Sequence, residues 1–365
     1  MPSAKSKKTK SELPVALPTD YEPKPVEHFD VERIILSRGS LDTPEREAFV
    51  QRICEVLPNA VVEQKLDTPG SQIHIPGGDV IARAKRGRKT LVFGELKQAV
   101  HSTEGEPSIP ENYWYFSTHA NCFYDCRYCY LAGARSVWFS PAIRIHVNLA
   151  EILTQVARVA KAERKRTSFY LGRLQDALAL DPLTGYSSVL VPFFAQHRLA
   201  RQIMLTKSTA VDNLLRLEHR GHTTLCWSLI PPGIAAPLEA NVPCIESRIL
   251  AMKRCAKAGY PVRARVQPVF PRKQWRKEYV KFIERLVSEI PLDRLGIGGV
   301  YTNGRVKYLA RRRMADLYDV FRGRCRGNSD EDLYSRSWCE KHHGDLVAAA
   351  VRIRPDLEIG ACHLI

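Results

Sequence analysis

The chain has 365 residues, 44% of them apolar and 26% charged, an ordinary globular balance with room for a core that needs no disulfides. No run of 18 apolar residues and no apolar leader occurs, so neither a membrane span nor a secretory signal is expected. Formal net charge is +16 and the pI is near 9.5, which favours a polyanionic partner, nucleic acid first.

Residues 1–25 are rich in Lys, Ser and Pro, lack periodicity and read as a disordered basic arm. Residues 26–105 read as a small α/β region. Its helix carries Phe49, Ile53, Val56 and Leu57 as one stripe, "TLVFGEL" is a strand, and "AKRGRK" between them is a basic turn. From 106 to 304 strands and helices alternate. The strands are "YWYFST", "SFYLGR", "QIMLTK", "TTLCWSLI", "PVRARVQPVF" and "RLGIGGV".

Five helices fall between these strands. "NLAEILTQVARVAKAERK" has Asn148 as N-cap and Glu151 at the capping-box position. "SVLVPFFAQHRLA" admits Pro192 only in its first turn. "VDNLLRLEHRG" is closed by Gly221, and "CIESRILAMKRCAKAG" carries Ile245, Ile249, Met252 and Ala256 on one face. "RKEYVKFIERLVSEI" is the fifth. Such alternation gives a parallel sheet with right-handed crossovers, either doubly wound or a partial βα barrel, with ligands at the C-terminal ends of the strands. Residues 305–365 form a basic, partly helical C-terminal extension. Its Arg311, Arg312 and Arg313 either track a nucleic-acid backbone or form a solvated helix face.

With no secretory signal, the ten cysteines point to a reducing cytosol, where close-spaced thiols bind metal or do redox chemistry. Cys122, Cys126 and Cys129 in "HANCFYDCRYCYLAG" have the spacing C-x3-C-x2-C with no fourth cysteine nearby. His119 or His146 could complete a zinc tetrahedron, but a zinc ribbon presents two C-x2-C knuckles and only one such pair exists. A four-iron cluster is the better reading, since three thiolates leave one iron open. Cys54, Cys226, Cys244 and Cys255 lie in apolar segments as small core residues, while Cys325, Cys339 and Cys362 are too widely spaced for a finger.

C-x3-C-x2-C with an aromatic before the last cysteine resembles the signature of radical S-adenosylmethionine (SAM) enzymes. That resemblance implies a partial (βα)6 barrel of radical SAM type, a [4Fe-4S] cluster on the three cysteines, and SAM cleaved to a 5′-deoxyadenosyl radical. The order of "RKTLVFGELK", "CFYDCRYCYL", "IHVNLAEIL", "LALDPLTG", "MLTKS", "WSLIPP" and "AGYPVRARVQPVF" is similar to spore photoproduct lyase and its relatives over roughly residues 30–300. The family implies reversal of a thymine dimer in damaged DNA, an electron donor such as flavodoxin or ferredoxin, and a cytoplasmic setting.

By the same resemblance, Tyr130 lines the SAM site and Tyr128 takes part in returning the hydrogen radical; aromatic packing over the cluster is the alternative for both. Lys207 matches a lysine near the SAM carboxylate and Ser228 a SAM-contacting serine, against a solvated strand-end lysine and a backbone-satisfied hydroxyl. The family's donor cysteine, in "S-C-T-S-D", is replaced. Anchored on Asp181–Thr184, this chain has "GRLQD", with Arg173 at the donor position, Gln175 at a SAM-contacting serine and Asp176 retained. Cys226, two residues before Ser228 and on the same side of its strand, is a candidate donor or a plain core cysteine. Arg263 and Arg265 alternate with Val262, Ala264 and Val266. If the apolar face meets helices, both guanidiniums point inward to hold SAM carboxylate or substrate phosphate; otherwise they sit at a solvent rim. Three functions remain: a lyase-like radical SAM enzyme on damaged DNA, the same chemistry on RNA, peptide or small molecule, and a non-catalytic zinc-bound nucleic-acid-binding protein.

Overall fold

The computed structural model describes residues 17–103, 112–270, 274–299, 302–313, 331–332 and 336–361. In chain order, β1 (Arg33–Ser37), α1 (Pro44–Glu55), β2 (Val61–Lys65), α2 (Val80–Arg88) and β3 (Thr90–Gly94) come first. Strands β4 (Val100–Ser102), β5 (Tyr113–Phe116) and β6 (His119–Ala120) lead into the cysteine loop, which ends in a 3-10 turn at Tyr130–Gly133. Helix α3 (Arg135–Phe139) and β7 (Ile143–His146) carry the chain away from it. Alternation follows: α4 (Leu149–Glu163), β8 (Thr167–Leu171), α5 (Asp181–Thr184), α6 (Ser187–Gln196), β9 (Ala200–Thr206), β10 (Thr223–Leu229), α7 (Pro232–Leu238), α8 (Ile245–Lys257), β11 (Val262–Val266), α9 (Trp275–Glu289) and β12 (Arg294–Ile297). Strand β13 (Thr302–Asn303) pairs antiparallel with β14 (Glu331–Asp332), and α10 (Gly304–Arg313), α11 (Arg336–Ile353) and β15 (Glu358–Ala361) complete the described chain.

Strands β5 and β8 to β12 are the six expected from sequence. They lie side by side in chain order and run parallel, with β15 added parallel at one edge and β4 antiparallel at the other. The edges β4 and β15 do not pair with each other, so this eight-stranded sheet is an incomplete barrel. A second sheet has the order β2-β1-β3-β7-β6, parallel except for β6. The cysteine loop therefore leaves from and returns to the N-terminal sheet, while β5 just before it belongs to the barrel.

Residues registered across a parallel sheet share a face. Tyr115, Tyr170, Ile203 and Thr224 are in one register, and Cys226, Arg263 and Arg294 in another. These side chains form the inner face. On the other face Phe169, Met204, Trp227, Val262, Ala264 and Val266 are fully buried against the helices. Arg263 and Arg265 therefore share the inner face, although Arg263 is already paired with Asp293 at 2.9 Å and is 25% exposed. This placement follows from the helices covering the apolar side.

Several local expectations changed. Leu17 is buried and the Tyr21 hydroxyl donates to the Pro182 carbonyl at 2.9 Å, so residues 17–25 pack on the fold, unlike the arm expected there; residues 1–16 lie outside the described ones. "AKRGRK" lies mostly in helix α2, capped by Asp79, whose carboxylate accepts from Ile81 and Ala82 N–H groups. The Asn148–Glu151 capping box does not form. Asn148 instead bonds both backbone groups of Leu96 at 2.9 and 3.1 Å, and Glu151 pairs with Arg46 at 2.6 Å. Pro192 sits inside α6, beyond the first turn, because Leu190, Val191 and Phe194 bury that helix completely enough to outweigh the lost bond. "VDNLLRLEHRG" gives only a 3-10 turn at Leu214–Arg216, followed by a stretch whose exposure alternates residue by residue from Leu215 to Arg220. Cys244 is exposed, its sulfur 3.1 Å from the Ser247 hydroxyl, while Cys226 and Cys255 are buried as expected. Among the described residues no helix is long and apolar enough to cross a membrane.

Candidate active site

The cysteine loop depends on two left-handed residues, Asn121 (φ 72°) and Asp125 (φ 55°), types that tolerate this region. The Asn121 amide donates to the Ser140 carbonyl at 3.0 Å, and its backbone N–H to Leu174 at 2.9 Å. Arg127 N–H donates to Leu238 of α7 and Cys129 N–H to the Cys126 carbonyl. All three thiols line one cavity of about 60 Å³. Burial pushes the Cys122 and Cys126 thiols well above their ordinary values. Thiolates at this site need the positive charge of bound iron, so the donor set fits a thiolate-held cluster. No three His, Cys, Asp or Glu side chains among the described residues converge as one metal ion requires. His119 is engaged with the Asp176 carbonyl at 2.8 Å and the Thr118 hydroxyl at 3.2 Å, and burial holds it down to about 4.

On the outer side of the loop, Asp125 accepts from Arg88 of α2 at 2.8 Å and from Arg313 of α10. Arg313 also donates to the Asp125 carbonyl at 3.2 Å, so it is not a solvated rung of its helix. Arg312 pairs with Asp79 at 3.0 Å. Burial lowers the Arg88 pKa, with Asp125 opposing it.

On the inner side, Tyr128 is buried edge-on against Phe270 and its hydroxyl donates to Glu239. Arg248 donates to the other Glu239 oxygen at 2.6 Å, both side chains 1% exposed, and also to the Ser228 carbonyl at 3.2 Å. The Lys207 ammonium stands 5.7 Å over the Tyr128 ring. Burial opposes its charge, but Cys126 and Glu239 more than offset this and raise its pKa. The Ser228 hydroxyl lies 3.4 Å from the Gln267 carbonyl, and Arg265 donates to the Gln267 amide oxygen.

Two expected cofactor-binding residues do framework work. Gln175 accepts from His119 N–H at 3.1 Å and donates to Thr118 at 3.3 Å, which ties the loop entry to the end of β8 rather than presenting the amide to a ligand. Asp176 accepts from Leu178 and Ala179 N–H groups, the Thr206 hydroxyl (2.6 Å) and Lys207 N–H (2.7 Å). Its carboxylate clamps the ends of β8 and β9 together, and burial raises its pKa against those bonds. The Tyr130 hydroxyl donates to the Arg173 carbonyl, and the Arg173 guanidinium lies 4.7 Å over Tyr115. Cys226 packs with Tyr113, Tyr170 and Ile203 in a buried inner-face cluster. Burial raises its thiol to about 11 despite Arg265, Arg263 and Arg294. The Tyr113 hydroxyl there has no hydrogen-bond partner among the described residues.

Sequence reasoning missed Glu239, Arg248, Asp125, Arg88 and the inner-face tyrosines. Strand parity could have found Tyr113, Tyr115 and Tyr170, and an arginine three residues from Ile245 on an apolar stripe was a sign of a buried partner. Nothing local says which carboxylate Arg248 meets, or marks the pairing of Asp125 with Arg88 and Arg313.

A family model described as spore photoproduct lyase matches residues 35–297. Spore photoproduct lyase of Bacillus subtilis (strain 168) is 29% identical over 248 residues, covering 67% of this chain and 70% of the relative. That of Clostridium acetobutylicum is 25% identical over 261 residues, 71% and 74% of the two chains. A solved cysteine-to-serine variant of spore photoproduct lyase superposes with a TM-score of 0.79 at 19% identity, over 92% of this chain and all of that one. A doubly substituted variant solved with AdoMet and dinucleoside spore photoproduct gives 0.79 at 19%, over 91% and 99%. These structures share the fold.

Proposed function

The chain belongs to the spore photoproduct lyase family of radical SAM enzymes, and we propose that it reverses thymine photoproducts in DNA in the cytosol, with Cys226 supplying the hydrogen atom in place of the missing family thiol. Cys122, Cys126 and Cys129 would hold the [4Fe-4S] cluster, which together with SAM supplies a 5′-deoxyadenosyl radical.

The remaining work falls to the chain. The Lys207 ammonium, kept charged by its neighbours, receives a carboxylate, and Tyr130 and Ser228 wall the same mouth. Gln175 and Asp176 hold that mouth's frame. Arg265 receives phosphate, whose contacts dominate affinity for DNA, while Arg263 and Arg294 are already paired with Asp293 and Glu358. Cys226 ends the repair by giving a hydrogen atom to the product radical. Its S–H bond breaks, a C–H bond forms and a thiyl radical remains. Tyr128, hydrogen-bonded to Glu239, restores the thiol: its O–H bond breaks, the S–H bond re-forms and a phenoxyl radical remains.

The observation that carries this reading is the Cys226 environment. Its thiol lies on the inner face of the barrel, packed with Tyr113 and Tyr170 and two residues before Ser228 on β10. One feature favours a different substrate: Arg173 adds a guanidinium over Tyr115 where the family has a donor thiol. Anaerobic reconstitution with iron and sulfide tests the chemistry, and about four irons per chain are expected. Colourless protein with one zinc would end the radical reading. Reduced enzyme, SAM and UV-irradiated spore-type DNA should then yield thymine. If 5′-deoxyadenosine forms without reversal, the DNA assignment fails and the Arg173 reading gains. Undiminished repair by Cys226→Ala would remove the donor role.

A further inference from the structure

Helices α2, α3 and α10 meet over the cysteine loop. The cavity shared by the three thiols is walled by Arg83, Arg88, Trp138, Leu309 and Arg313. None of Tyr130, Asp176, Lys207, Ser228 or Arg265 lines it, so this wall lies behind the loop as seen from the barrel mouth. Outside the wall, Phe139 is 69% and Tyr308 45% exposed. Contiguous exposed apolar surface, rather than a single side chain, is what marks an interaction site. Trp138 and Tyr308 meet edge to face at 6.1 Å, with the Arg305 guanidinium 5.9 Å over Trp138 and that of Arg312 5.3 Å over Tyr308.

The three helices read VIARAKRGR, RSVWF and GRVKYLARRR, without one carboxylate among them. Helix α10 turns Val306, Leu309 and Ala310 inward and Arg305, Tyr308 and Arg312 outward, a stripe at helical spacing. The pairing of Asp125 with Arg88 and Arg313 fastens both long helices directly to the segment between Cys122 and Cys126.

We propose that this arginine–aromatic face is the docking surface for a small acidic one-electron carrier protein. The inference rests on the reading that the three cysteines hold a reducible cluster. One electron leaves the carrier and one enters the cluster, and no bond forms or breaks. Electron tunnelling falls steeply with distance, and a carrier seated on Tyr308 lies against Trp138, which lines the cavity of the three thiols. Exposed aromatics provide anchors that can be buried, and a basic rim steers an acidic partner. Nucleic acid suits the face less well, because a substrate base has to reach the inner-face residues on the other side of the loop.

The test compares the full chain with Phe139→Ala/Arg305→Glu, neither residue lining the thiol cavity. A flavodoxin of net negative charge is titrated against both, at low and raised salt. Wild type should bind and weaken with salt, and the double variant should bind at least about tenfold more weakly. In the reconstituted proteins, flavodoxin-driven 5′-deoxyadenosine formation should show a raised KM for the carrier, while dithionite-driven formation is unchanged. Equal flavodoxin binding by variant and wild type would overturn the proposal. So would a variant that loses duplex DNA binding yet keeps flavodoxin, which would make the face a nucleic-acid surface. If dithionite yields no 5′-deoxyadenosine even in wild type, the radical reading falls, and the titration still decides the docking face.

Discussion

Two charged networks flank the cysteine loop, and they are built differently. The outer one joins one carboxylate, Asp125, to two guanidiniums, Arg88 and Arg313, and reaches half-exposed helices. The inner one balances Glu239 against Arg248, adds the Tyr128 hydroxyl, and is sealed from water. An excess positive charge near solvent suits attraction of a partner and of electrons. A neutral, closed network suits holding a tyrosine and a lysine still where water must be kept out. The loop thus lies between a partly open network with excess positive charge and a sealed one whose charges balance.

Breaking the inner network should cost most. Arg248→Ala leaves the Glu239 carboxylate buried and unpaired, and is expected to lower unfolding free energy by about 3–5 kcal/mol, read by urea denaturation. Glu239→Leu/Arg248→Met should recover most of that loss, since it removes the charge instead of orphaning it.

Acid is the next probe of the inner side. His119 is held to about 4 in the fold against 6.5 for the free group. It is neutral when folded and takes up a proton on unfolding, so its stabilisation is present above pH 6.5 and is lost as pH falls through about 4. The loss is about 3 kcal/mol, and replacing His119 with Gln should flatten that limb of the stability–pH curve.

The outer side should yield smaller effects. A Cβ on Gly87 would meet the Pro141 carbonyl carbon at 2.6 Å, so Gly87→Ala must push α2 off the loop exit, at about 1–3 kcal/mol by thermal unfolding. Asp125→Asn is the mildest, about 1–2 kcal/mol, because the arginines it releases, 19% and 14% exposed, keep more contact with water than the 1%-exposed inner pair. If it cost as much as Arg248→Ala, the distinction between an open and a sealed network would be lost.

The two sides also differed in how far they could be read from sequence. The inner strand β11 was legible, since Val-Arg-Ala-Arg-Val has period two and one face had to meet helices. The outer helix α2 was not. "AKRGRK" has the composition of a turn, and its helix depends on the Asp79 cap and on Gly87 fitting against Pro141, a neighbour more than fifty residues away in the chain. Asn148 failed as a cap for a related reason: Leu96 offered its side chain two better bonds. Gln175 and Asp176 were located by likeness, but the work of their polar atoms became visible only with their hydrogen bonds drawn.

By itself, the amino-acid sequence determined the thiol spacing, the alternation that builds a parallel barrel, the inward parity of Arg263 and Arg265, and the basic charge. All of these are properties of neighbours a few residues apart, where backbone geometry fixes which side chains share a face. Tertiary structure alone decided that β7 leaves the barrel for the N-terminal sheet, that Asp125 meets an arginine 188 residues away, and that Tyr128 meets a glutamate 111 residues away. Ion pairs and hydrogen bonds over such separations leave no periodic trace. Their energy depends on burial and distance, which exist only once the chain has folded.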